Sequence, residues 1–273
     1  MEGRDRPYLI LFVLPALVFF TAFFLLPMAR LVAVGGGGSG GAATYAAIIA
    51  TPRYFRSLLS SLLLSLLVTG ATLLIAGIAG LFLQRHRFPG RSMLVAMLTF
   101  PLAFPGVVVG FMVIMLAGRQ GLIGELSAIA TGQKVVFAYS MAGLFIGYLY
   151  FSIPRVILTI MAAAEKLDAR LEEAARSLGA RPWHVVRDVL IPALRPALFS
   201  SGAICFATSM GAFGTAFTLA TDIEVLPMTI YTEFTLRANF AVAAALSIVL
   251  GVITWAGLAL ARTAAGSTVA ASA

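Results

Sequence analysis

Cysteine and histidine are nearly missing from this chain, which has one Cys and two His in 273 residues. Cys205 stands alone inside an apolar run, so no internal disulfide can form. His86 and His184 are far apart in sequence, which argues against a His/Cys metal cluster. Charge is scarce as well, at 11% of residues against about 25% in soluble domains. Lysine occurs only at Lys134 and Lys166, and neither follows glycine, so the phosphate-cradling G-x-x-x-x-G-K-[ST] pattern is absent. The chain carries no ATP site of that kind. The apolar runs hold no Ser/His, Asp/Asp or His/Glu grouping, which leaves an intramembrane enzyme without catalytic groups. Tyr139, Tyr148 and Tyr150 read instead as packing or interfacial residues.

What the chain does have is length of apolar sequence. Hydrophobic residues make up 60% and mean hydropathy is +1.00. A helix needs about 20 apolar residues to cross the hydrocarbon core. Residues 8–29, 57–83, 92–118, 135–154, 197–221 and 238–261 each reach that length with charge only at their extreme ends. The expected fold is an all-α membrane protein with six transmembrane helices. The first run is too long for a signal h-region and lacks a nearby cleavage site, so it reads as an uncleaved span.

Six spans place both termini on one side. That side holds 13 of the 19 basic residues, among them Arg85, Arg87, Arg91 and seven between Arg155 and Arg195. Basic residues collect in cytoplasmic loops, so both termini are expected in the cytoplasm. The net charge of +8 is thus a topology signal, with no nucleic-acid partner implied. On the other side, the Gly-rich stretch 34–45 reads as flexible coil and as a native loop. The chain divides into a first span and linker (1–55), a core (56–262) and a tail (263–273).

Within the spans, Pro101 and Pro105 are expected to kink the third helix. Gly106 and Gly110, and again Gly143 and Gly147, stand in GxxxG spacing, which lets two helix backbones approach closely. Packing inside the chain is the favoured reading of both pairs. A pathway face is the sharper one.

Residues 165–192 are too charged to span, and they separate the fourth and fifth runs. Leu167, Leu171, Ala174, Ala175 and Leu178 recur at helical spacing on one face, and Gly179 follows where a helix needs positive φ to end. Pro182 suits the first turn of a second helix with Trp183, Val186 and Leu190 as its stripe, and Pro192 is expected to stop it. An amphipathic hairpin on the lipid surface is the bland alternative. Against it, acidic and basic residues balance on the first helix and its apolar face is mostly Leu and Ala. That is a ridge shaped for a groove on another protein.

Glu173-Ala174-Ala175, three residues, Gly179, nine residues, then Val189-Leu190-Ile191-Pro192 resemble the EAA loop of binding-protein-dependent ABC importer permeases. The segments TFPLAFPGVVVGF (99–111) and VLPMTIYTEF (225–234) are similar to the branch importing polyamines, ferric iron and aminoethylphosphonate. The resemblance implies a permease of the bacterial inner membrane whose loop is a coupling helix seated on a cytoplasmic ABC ATPase dimer. Glu173 would make the polar contact, Ala174 and Ala175 would pack, Gly179 would shape the elbow, and Ile191 and Pro192 complete the pattern. It also implies a second permease subunit and a periplasmic solute-binding protein. ATP and magnesium would sit on the ATPase, and this chain would hold no cofactor. Polyamine is the leading expectation for the solute, on resemblance alone.

Secondary transporters couple to ions through ionisable residues within the bilayer, and the six runs read as lacking them. An ion-coupled transporter is the runner-up. Ser209, Phe213 and Thr215, in a fifth span that mixes small polar and aromatic residues, are the candidate pathway residues. Asp222, Glu224 and Glu233 on the outer side read as solvated loop charges, the sharper alternative being attraction of a cation or contact with a binding protein, and Arg237 reads as an anchor for the last span.

Overall fold

The computed structural model describes residues 6–37, 41, 43–219 and 223–265, all-helical with turns between. Asp222 and residues 38–40 and 42 of the Gly-rich stretch lie outside the described residues; the rest of that stretch, expected as flexible coil, is the end of one helix, turn residues and the start of the next. In chain order the helices are α1 (Arg6–Phe20), α2 (Leu26–Gly36), α3 (Ala43–Ala50), α4 (Pro52–Arg85) and α5 (Arg91–Thr99). Then follow α6 (Gly106–Ala117), α7 (Leu122–Thr131), α8 (Met141–Glu165), α9 (Ala169–Ser177) and α10 (Pro182–Val185). The last are α11 (Ile191–Met210), α12 (Gly214–Leu219), α13 (Leu226–Tyr231) and α14 (Phe240–Ala265). Among the described residues, six helical stretches are long and apolar enough to cross a membrane.

The chain forms two compact units. The first comprises residues 1–56 and 229–251. There α1 runs into α2 through one π-helical turn, Thr21–Leu25, and the apolar side chains from Phe12 to Leu26 are exposed. Gly35 permits a close approach: a β-carbon there would lie 2.7 Å from the Tyr45 hydroxyl and 3.2 Å from the Ala245 nitrogen. Glu233 belongs to this unit. Far from being a solvated loop charge, it is 1% exposed and bonded to Arg53 and Arg237. Arg237 is therefore a counter-charge as well as the lead-in to the last helix.

The second unit comprises residues 57–228 and 252–273. Its α4 packs through a stripe of small residues, including Ser57, Ser61, Ser65, Thr72, Ala76 and Gly80, the usual means of close approach where lipid supplies no hydrophobic drive. Ser61 also accepts a hydrogen bond from the Leu226 backbone at 2.6 Å.

Three expectations need correction here. The run 92–118 is not one kinked span. Pro101 and Pro105 cannot donate backbone bonds, and Phe104 before Pro105 is extended (φ −94, ψ 132), so the helix breaks between Ala103 and Gly106. The fifth span breaks too, at Gly211–Phe213, and restarts as α12. Pro192, lastly, does not stop the loop's second helix. A π-helical turn at Val186–Leu190 widens the coil, the Ile191 amide bonds back to the Val186 carbonyl, and helix runs unbroken from Pro182 to Met210.

Candidate functional site

Two features of the second unit combine geometry with unusual chemistry. One is the loop between α8 and α11. Asp168 caps α9, accepting a bond from the Arg170 amide at 3.0 Å. At the other end Gly179 adopts φ +83, and paired bonds close the turn: Ala180 N–H to the Ala175 carbonyl at 3.1 Å and Gly179 N–H to the Arg176 carbonyl at 2.9 Å. This is a Schellman ending, and it demands the left-handed residue that glycine supplies.

The loop presents two kinds of acid. Glu172 turns inward and pairs with Arg85 at the end of α4. Glu173, next in sequence, is exposed, as are Ala174, Gly179, Ile191 and Pro192, while Ala175 is half-buried. Leu171, Leu178 (89% exposed) and Trp183 (65%) stand outward around the elbow. The stripe on the second helix differs from the expected Trp183/Val186/Leu190. Val185, Leu190 and Leu194 are the buried residues, and the five-residue first step is the signature of the intervening π turn.

The other feature is a cavity of about 280 Å³ where the two broken helices meet. Gly106 and Gly110 of α6 lie against α12, since a β-carbon on Gly110 would fall 2.6 Å from that of Thr218. Gly147 of α8 approaches the Thr215 methyl equally closely. The glycine spacing thus serves packing inside the chain. Thr215 donates to the Gly106 carbonyl at 2.9 Å, and the buried Tyr148 hydroxyl donates to the Ala212 carbonyl at 2.6 Å. Side chains therefore satisfy carbonyls around the breaks, as a membrane interior requires.

The cavity walls include Pro101, Phe104, Phe151, Arg155, Thr208 and Thr215. Of the three expected pathway residues, Thr215 lines it. Ser209 is buried outside it and Phe213 does not reach it. The fourth apolar run, expected to end at Pro154, continues: α8 carries Pro154 inside the helix and reaches Glu165, so Arg155 belongs to the helical stretch long and apolar enough to cross a membrane. Neither Arg155 nor Glu172 stood out in the sequence. The legible signal for the second was the basic turn at Arg85, which needs an acid from elsewhere.

Comparison with known proteins decides what this architecture is. Residues 72–265, including both breaks and the charged loop, match the family described as binding-protein-dependent transport system inner membrane component. The chain belongs to this family. It is a permease subunit of an ABC importer, a multi-pass inner-membrane protein whose relatives are transport permeases. The permease is 34% identical over 180 residues to the molybdenum transport system permease protein ModB of Escherichia coli (strain K12), spanning 63% of this chain and 78% of ModB. It is 30% identical over 270 residues to the putative 2-aminoethylphosphonate transport system permease protein PhnU of Salmonella typhimurium, spanning 96% and 94% of the two chains. Its fold matches the bacterial alginate ABC transporter crystallised with an alginate-bound periplasmic protein, with TM-score 0.78 and 18% identity over 94% of this permease and 93% of that chain.

Proposed function

We propose that this permease forms the membrane pathway of an ATP-driven importer for a small oxyanion or phosphonate, and that a separate ATPase moves it by gripping loop 165–192. The observation that carries this reading is the similarity to PhnU along 96% of the chain, joined by that to ModB. Molybdate and phosphonates share a compact, multiply charged head of oxygens. The polyamine expectation gains nothing from either relative.

The coupling role rests on what the loop exposes. Glu173 is exposed beside a ridge of Leu171, Leu178 and Trp183 that none of the described residues covers, and such a ridge suits insertion into a groove. ATP and magnesium belong to the ATPase pair. A second permease copy or homologue and a periplasmic binding protein complete the assembly, with residues 56–262 as the transport core. The excess of basic residues on one side supports a cytoplasmic location for both termini and the loop.

The test is uptake into vesicles carrying the assembled transporter, with molybdate, 2-aminoethylphosphonate and spermidine as probes. The expected result is ATP-dependent uptake of an oxyanion or phosphonate, lost in Glu173→Ala while the permease stays inserted. Uptake that persists without ATP hydrolysis and collapses with an ion gradient would establish the ion-coupled alternative instead.

A further inference from the structure

Arg155 is the one charged side chain on the cavity wall, and its position in the fold is unusual. It lies ten residues before Glu165 in an unbroken helix, or about 15 Å from that end of α8 at 1.5 Å per residue. A guanidinium cannot shed its proton, and a charge on an apolar membrane helix is costly unless it meets water or a counter-charge. Arg155 makes no ion pair with any described carboxylate. It opens instead onto the cavity, beside Thr208 and Thr215. Both threonines donate to helix carbonyls, Thr208 to Ile204 at 2.9 Å and Thr215 to Gly106 at 2.9 Å. With the hydroxyl protons of both threonines engaged, Arg155 is the charged donor on the cavity wall.

We infer that Arg155 is an anion-binding residue of the translocation pathway, taking two oxygens of a sulfate-, molybdate- or phosphonate-type head in the fork of its guanidinium. Planar paired donors match such oxygens better than a point charge does. At about 30 Å³ of liquid per water molecule, 280 Å³ accommodates a small oxyanion with a few waters. The inference rests on the oxyanion reading above and adds that the membrane subunit itself selects for charge, independently of the binding protein.

The experiment uses the complete transporter in liposomes, with ATP inside and radiolabelled molybdate, sulfate and 2-aminoethylphosphonate as probes. At equal amounts of assembled complex, Arg155→Gln should cut uptake about ten- to a hundredfold, while Arg155→Lys retains part of it. Arg155→Cys adds a readout that a packing role would not move, because the only native cysteine, Cys205, is buried. Labelling Arg155→Cys with a cationic thiol reagent should restore uptake, and an anionic reagent of similar size should not. If Arg155→Gln fails to assemble, the cysteine variant, labelled after assembly, decides. Undiminished uptake in Arg155→Gln, or equal response to the two reagents, overturns the inference and leaves the oxyanion reading standing. No uptake of any probe by the unaltered transporter overturns both.

Discussion

Glu233 accepts a hydrogen bond from Arg53 at 3.4 Å across 180 residues of sequence, and its carboxylate is almost wholly withdrawn from solvent. Arg237, one helical turn on, donates to the same oxygen at 3.1 Å. One acid thus joins the start of α4 to the segment leading into α14. Removing a buried member of such a pair leaves uncompensated charge, which costs about 3–5 kcal/mol where both partners are buried. Here Arg53 and Arg237 keep solvent access, with side-chain exposures of 32% and 53%, so the cost of removing Glu233 falls below that range.

Glu233→Ala should therefore destabilise the permease by about 1–2 kcal/mol, read from thermal unfolding in detergent. Arg53→Ala should cost less, because Arg237 remains. Equal stability of Glu233→Ala and the unaltered chain would show that the cluster is idle.

At the elbow, a β-carbon on Gly179 would meet nothing within 4 Å, so substitution there acts on the backbone alone. Holding alanine at φ +83 costs about 1–2 kcal/mol, and asparagine less. Gly179→Ala should loosen the turn after α9 and reduce ATP-driven uptake more than Gly179→Asn does. The reverse order would refute a conformational role.

Gly110 presents the opposite case, where space decides. Alanine there would push against Thr218 and separate α6 from α12, with a cost of about 1–3 kcal/mol for overpacking. Gly110→Leu should be worse. The measurement is the melting temperature together with the amount of folded protein recovered from membranes.

Arg85 and Glu172 form a pair that a double-mutant cycle can isolate. Each single alanine variant should weaken the seating of α9, with a coupling energy of about 1–2 kcal/mol. The exchange Arg85→Glu with Glu172→Arg should recover much of the lost uptake. Failure of the exchange, with both singles impaired, would assign the two residues separate roles.

The spans were legible because charge is excluded from lipid, and the helix–elbow–helix of the loop because apolar periodicity, Gly179 and Pro182 are local signals; the Asp168 cap emerged only in the structure. The two helix breaks were not, since Pro101, Pro105 and Gly211 are apolar or neutral and leave hydropathy undisturbed. Arg155 was missed for a related reason: a proline followed by arginine reads as an exit from the membrane, yet Pro154 is tolerated inside α8. Glu233 carried no local sign of burial, because its partner Arg53 is remote in sequence. Val185 replaced Val186 in the buried stripe because one π turn shifts the count by a residue, and periodicity at 3.6 cannot foresee it.

The uninterrupted helix from Pro182 to Met210 has a mechanical meaning. Its 29 residues make a rod about 43 Å long, one end beside Trp183 and the other against the break at Gly211. A partner holding the elbow, as proposed above, would hold the same continuous helix that carries Thr208 on the cavity wall.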